Sequence, residues 1–272
     1  MKCLITGTNK GIGKALCHLF PSLLDLDYLL LSRSKEDFQT IKTLSDTYPR
    51  SSFKYFQVDL SDREQTKSML SELEFSSPIS LLVNNAGVFL DKPSCSTPTN
   101  SLNVSSDTLM KTFEVNVRAP YDLIQAILPG MRQTNFGRIV NVSSGMSRID
   151  EYDEIAPAYR ASKRALNGIT QSVAHLVRDD DITCNSVCPG WVRSSMGGEL
   201  ATRSCEEACY GIIQALLSCD KNHSGKFFRD DRELSFENTT PLDHYDTGLP
   251  PNLPEKVKES AKEFYSLYLS KS

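Results

Sequence analysis

The sequence predicts an α/β fold: a single domain built on a doubly wound parallel sheet. Short apolar runs alternate with longer amphipathic ones along most of its 272 residues. Regular βα alternation of this kind builds a parallel sheet covered by helices on both faces. Runs such as Leu81-Leu82-Val83 and Ile139-Val140-Asn141-Val142 also show no polar alternation, which suits strands buried on both sides.

Strands are expected at 2–6, 28–32, 53–58, 80–84, 138–143, 182–187 and 225–228. Helices are expected at 11–24, 35–48, 62–75, 105–132, 157–178 and 204–219. Residues 91–106 are rich in Ser, Thr, Pro and Asn and read as a surface loop. Residues 237–254 are polar and carry four prolines, whereas 255–269 return to a helical pattern through Val257, Ala261, Phe264, Tyr265 and Tyr268. This divides the chain into a catalytic domain over 1–236 and a tail over 237–272, whose terminal helix packs on the domain or on a partner subunit. We find no internal repeat.

Composition excludes several classes. The net charge of −4, from 30 basic and 34 acidic residues, argues against a general nucleic-acid binder, which needs a strongly basic face. No apolar run approaches the roughly 20 residues that span a bilayer. Residues 1–7 enter a strand pattern at once, leaving no room for a signal peptide, so a cytoplasmic protein is expected. The eight cysteines suit a reducing compartment without disulfides. Cys184/Cys188 and Cys205/Cys209 lack the CxxC spacing of common zinc sites, and His18, His175, His223 and His244 form no cluster in the sequence. No metal site is expected.

Thr6-Gly7-Thr8-Asn9-Lys10-Gly11-Ile12-Gly13 joins the first strand to the first helix. Glycines there permit a tight turn and close backbone approach to a pyrophosphate, which the helix N-terminus stabilises. The spacing is G-x-x-x-G-x-G rather than G-x-G-x-x-G. The second strand ends Leu31-Ser32-Arg33-Ser34, with no acidic residue to hold a ribose 2′-hydroxyl. Arg33, with Lys10 in the turn, suits a 2′-phosphate and so NADP over NAD, unless both are simply solvated surface charges.

Tyr159 and Lys163 stand one helical turn apart, fifteen residues after Ser144. A lysine four residues beyond a tyrosine shares its helix face. Its charge is expected to lower the tyrosine pKa towards working pH and make it a usable proton donor and acceptor. By itself the spacing equally describes a half-buried aromatic beside a solvated lysine.

Taken in order, TGxxxGxG at Thr6–Gly13, Asn84-Asn85-Ala86-Gly87, Asn116, Asn141-Val142-Ser143-Ser144, Tyr159-x-x-x-Lys163 and Pro189-Gly190 resemble the short-chain dehydrogenase/reductase family over residues 2–230. The resemblance implies a Rossmann fold. Asn9-Lys10-Gly11-Ile12-Gly13, Pro189-Gly190-Trp191-Val192-Arg193 and the stretch 224–230 are similar to the NADPH-dependent carbonyl reductases. Those carry a long insertion between serine and tyrosine that this chain lacks, with fourteen residues there. By resemblance, Tyr159 protonates a carbonyl oxygen, Ser144 positions it (Ser143 being the rival), Lys163 tunes Tyr159 and holds the nicotinamide ribose, and Asn116 anchors a proton-relay water. Gly7, Asn9, Lys10, Gly11, Ile12 and Gly13 would surround the cofactor phosphates. Asp59 and Leu60 would meet the adenine, Asn85, Ala86 and Gly87 the adenosine ribose side, and Pro189, Gly190 and Val192 the nicotinamide. Asp59 competes with a helix-capping role at 62, and Trp191 and Met196 are divided between substrate pocket and core.

The function implied is NADPH-dependent reduction of a small-molecule ketone, aldehyde or quinone. Two alternatives stay open: an NAD(P)-dependent secondary-alcohol dehydrogenase, and a non-catalytic NADP-sensing protein on the same fold. Neither a nucleic-acid nor a membrane partner is expected. Both monomer and homo-oligomer are compatible with the sequence.

Overall fold

The structure is a computed structural model, and it describes residues 1–35, 38–73, 78–93, 100–148, 154–236 and 248–269. Strands β1 (Lys2–Thr6), β2 (Asp27–Ser32), β3 (Ser52–Gln57), β4 (Ile79–Asn84), β5 (Gly137–Val142), β6 (Ile182–Val187), β7 (Phe227–Arg229) and β8 (Arg232–Leu234) form one sheet in the order β3-β2-β1-β4-β5-β6-β7-β8. Strands β1 to β7 pair in parallel. The last, β8, runs antiparallel to β7 and is absent from the expected set. It escaped because Arg232-Glu233-Leu234 is too short and too charged to show a strand period, and because Asp230 turns the chain in the left-handed region at φ 59.

The helices are α1 (Gly11–Leu19), α2 (Phe38–Thr47), α3 (Arg63–Glu72), α4 (Ser106–Phe113), α5 (Ala119–Gln133), α6 (Pro157–Leu176), α7 (Cys205–Leu217) and α8 (Leu253–Phe264). Side chains of α1, α2, α7 and α8 bury one face of the sheet in a core that includes Leu16, Leu44, Ile212 and Phe264. Those of α3, α5 and α6 bury the other through Met69, Ile124, Ile127 and Val173. With both faces covered, the unbroken apolar pattern of β4 and β5 is explained: all six residues of each are buried.

The terminal helix lies on its own domain. Leu253, Val257, Ala261 and Phe264 enter the core beside α1 and α7, and full burial of a side chain such as Val257 or Phe264 stabilises by roughly 1.5–3 kcal/mol. A π-helical turn, Tyr265–Leu269, follows. There Tyr268 Oη accepts a hydrogen bond from the buried Arg138 at 3.0 Å, and Phe136 packs on the Tyr268 ring.

The helix expected over 105–132 is in fact two helices joined by a π turn, Glu114–Arg118. Pro120 is the cause we assign. It has no N–H to donate to the carbonyl of Asn116 four residues earlier, so the regular ladder cannot continue. The Ala119 N–H instead bonds Glu114 O, five residues back. Such single π turns recur at functional sites, and this one holds Asn116.

Candidate active site

The strand order reverses between β1 and β4, which is where ligands enter a doubly wound sheet. The chain leaves β1 at Gly7 with φ 74, and its N–H bonds Leu31 O at 2.7 Å. A Cβ at Gly7 would lie 2.9 Å from Ala86 Cα, and one at Gly13 would lie 2.1 Å from Gly7 O. Only glycine fits either place. Lys10 stands at the N-cap of α1 and gives no side-chain cap, so the first N–H groups of the helix remain to meet an anion. Asn85 braces the turn, its Nδ2 donating to Thr6 O at 2.9 Å. A backbone cradle with no capping side chain fits a dinucleotide pyrophosphate.

One elongated cleft runs from this turn to the C-terminal ends of the central strands. Of the residues expected at the site, Gly7, Asn9, Lys10, Gly11, Ile12, Arg33, Asp59, Leu60, Asn85, Ala86, Gly87, Tyr159, Lys163 and Pro189 line it. Gly13, Asn116, Ser144, Gly190 and Val192 do not. Gly13 packs beneath the turn. Asn116 is wholly buried behind Gly87, Gly190 bends the chain at φ 81, and Val192 is buried in a bridge to Arg203. The cleft adds Leu31, Ser32, Val58, Val88, Val115, Val142, Ser194 and Ser195, which the sequence reading missed, together with Ser143, which it held as the rival to Ser144, and Met196, which it left divided. Several of these sit at strand ends, so strand register could have found them; Ser194 and Ser195 had no local signal.

Asp59 is not the helix cap. That role belongs to Asp62, whose carboxylate accepts from the N–H groups of Glu64 and Gln65. Asp59 instead accepts from the Ser61 N–H at 2.9 Å. Trp191 is not core either. It is 49% exposed, with Nε1 donating to Gly197 O at 2.9 Å. Tyr152 and Cys95, and the stretch 237–247 of the tail, lie outside the described residues.

At the far end of the cleft, α6 presents Tyr159 and Lys163 on one face. Its start is anchored by the buried Asp91, whose Oδ2 accepts from the Ala158 N–H at 2.7 Å. The Tyr159 ring stacks on Phe89 with centroids 4.2 Å apart, and its Oη lies 3.8 Å from Met196 Sδ. Burial pushes the Tyr159 pKa up to about 12, against which a hydrogen bond with the Ser144 side chain acts. Ser143 lines the cleft, but its hydroxyl is turned to Lys163 O at 3.4 Å. Asn116 bonds the Val88 N–H and C=O and donates to Ser162 Oγ at 2.9 Å, tying the π turn to α6.

The expected lowering of Tyr159 by Lys163 is not found. The Lys163 Nζ sits 5.8 Å from the tyrosine ring centroid and donates to Val142 O at 2.7 Å. Desolvation dominates both groups, raising the phenol and lowering the ammonium to about 8. The Lys163 shift has a consequence for stability. A basic group with a depressed folded pKa binds fewer protons folded than unfolded between about 8 and its ordinary 10.5, so its contribution to stability rises with pH across that window. Lys163→Met is therefore expected to melt above the wild type at pH 7, with the gap closing towards pH 10. Melting scans over that range check it, and a gap independent of pH would contradict the buried-ammonium account.

A family model described as short chain dehydrogenase matches residues 2–204. The chain belongs to the short-chain dehydrogenase family. This dehydrogenase is 32% identical over 197 residues to the protein FixR of Bradyrhizobium diazoefficiens, covering 71% of this chain and 67% of that protein. It is 30% identical over 200 residues to the 3-oxoacyl-[acyl-carrier-protein] reductase FabG of Rickettsia conorii, covering 72% and 75%. Among solved structures, the NADPH-bound carbonyl reductase from chicken fatty liver is similar, with a TM-score of 0.72 and 26% identity over 84% of this chain and 95% of that one. The short-chain dehydrogenase is thus an oxidoreductase of the nicotinamide-dependent class, on a Rossmann-type fold. Among its described residues no helix is long and apolar enough to cross a membrane.

Proposed function

We propose that this short-chain dehydrogenase reduces the carbonyl of a ketone, aldehyde or quinone to the alcohol, with NADPH as the hydride source and Tyr159 as the proton donor. The observation that carries this reading is the continuity of the cleft: Lys10 and Arg33 line it together with Tyr159 and Lys163. Lys10 and Arg33 would hold the 2′-phosphate of a bound dinucleotide, and Tyr159 and Lys163 would face its nicotinamide end. The NADPH-bound carbonyl reductase and the 3-oxoacyl reductase among its relatives support the direction.

When bound, the cofactor supplies a hydride. The side chains supply the rest. With its pKa raised to about 12, Tyr159 keeps its proton at Oη throughout the neutral range and is poised to give it to an oxygen. Ser144, bonded to Tyr159, directs its hydroxyl at the same oxygen and stabilises charge as it develops. Lys163, at about 8, can lose and regain a proton near working pH and so can replenish Tyr159. A Cβ at Gly87 would lie 3.3 Å from Asn116 Oδ1 and 3.4 Å from Lys163 Nζ. The absence of a side chain there leaves Lys163 facing the cleft, with Asn116 directly behind Gly87.

NADPH and NADH consumption over a panel of carbonyl substrates tests the reading. Arg33→Asp is expected to weaken NADPH by about ten- to a hundredfold, the loss of a charged hydrogen bond plus a repulsion, and to leave NADH nearly unchanged. Equal losses for both cofactors would remove the 2′-phosphate assignment.

A further inference from the structure

Residues 191–203 leave β6, line the reacting end of the cleft through Ser194, Ser195 and Met196, and return to α7. The segment is closed at its neck. Val192 bridges Arg203, the Arg193 N–H bonds Arg203 O at 2.8 Å, and the Arg203 N–H bonds Trp191 O at 3.0 Å. Arg203 then anchors the neck to the β7–β8 turn and to the segment before α8. Its side chain is only 3% exposed and grips the Asp230 carboxylate with both Nη atoms, at 2.7 and 3.0 Å. Nη2 also donates to Gly248 O at 2.9 Å, where the chain leads into α8. Asp230 cannot shift towards α7, because it packs on Gly211, where a Cβ would lie 3.1 Å from the Asp230 backbone.

A buried ion pair is weak grounds for stability, since an apolar pair of similar volume often serves as well. What an apolar pair cannot reproduce is direction: a planar guanidinium held by a carboxylate fork and a carbonyl has one orientation. We infer that Arg203 is a positioning residue for the nicotinamide end of the cleft. Its contacts to Asp230 and Gly248 set the height of residues 194–196 beside Tyr159, and they make the C-terminal segment part of what holds the cofactor. The inference rests on the proposed placement of the cofactor, nicotinamide at Tyr159 and adenosine phosphate at Arg33.

The test uses the full chain and two ligands: NADPH, and 2′,5′-ADP, which represents only the adenosine half. In Arg203→Lys, the Kd and KM for NADPH are expected to rise about tenfold, the size of a lost charged hydrogen bond, while 2′,5′-ADP binds as to the wild type. The double variant Arg203→Met/Asp230→Asn, which removes both charges and keeps a side chain tolerated at φ 59, is expected to melt close to the wild type but not to recover NADPH affinity. Equal weakening of both ligands, unchanged NADPH binding in Arg203→Lys, or wild-type NADPH affinity in the double variant would each overturn the positioning role. A wild type that binds neither ligand would overturn the cofactor placement itself, and this inference with it.

Discussion

Tyr159→Phe is expected to lower kcat for carbonyl reduction by about a hundred- to ten-thousandfold, the range for removing a positioned general acid. NADPH affinity and the melting temperature should barely move. The structure gives the reason for that separation. The ring carries the packing through its stack on Phe89, and phenylalanine keeps it. The hydroxyl meets the Ser144 side chain and lies 3.8 Å from the Met196 sulfur, contacts whose loss leaves the packing of the ring in place. Steady-state kinetics beside a cofactor titration check this. A variant retaining more than a tenth of wild-type turnover would move the proton donor elsewhere, and equal inactivity of both proteins with intact NADPH binding would favour a cofactor-sensing role.

Gly13→Ala should do the opposite, destroying cofactor binding through the backbone. The added methyl group would sit 2.1 Å from Gly7 O and 2.7 Å from Asn85 Nδ2, far inside contact distance. Either α1 moves away from β1 or the Gly7 turn opens. Overpacking of this kind costs about 1–3 kcal/mol, and either response spoils the N–H array facing the cleft. A melting temperature several degrees lower and no measurable NADPH binding are expected. Unchanged NADPH affinity would mean that the turn does not hold the pyrophosphate.

Much of the site was legible because its geometry is local. A glycine-rich turn between strand and helix depends on φ and on the absence of Cβ, and both can be read from residue identity. The Tyr159–Lys163 spacing follows from the helix period in the same way. Ser194, Ser195 and the Arg203 anchor could not be read so. They reach the cleft through an irregular segment whose course is set by Asp230 and Gly248, 27 and 45 residues further along. Asp59 and Asp62 show a subtler failure: both precede a helical pattern, and which one caps depends on where the first N–H groups fall.

By itself the sequence determined the βα order, the cofactor turn with Arg33 at the second strand end, and the helix face that carries Tyr159 and Lys163. Each rests on patterns spanning a few residues, where backbone sterics and helix period leave little choice. Only the tertiary structure decided that the Ser143 hydroxyl turns to Lys163 O and that Pro120 leaves Asn116 on a π turn tied to α6. It alone decided that burial, rather than the lysine charge, sets the Tyr159 pKa. These outcomes depend on which groups are desolvated together and which carbonyls lie within reach, and packing between distant segments fixes both.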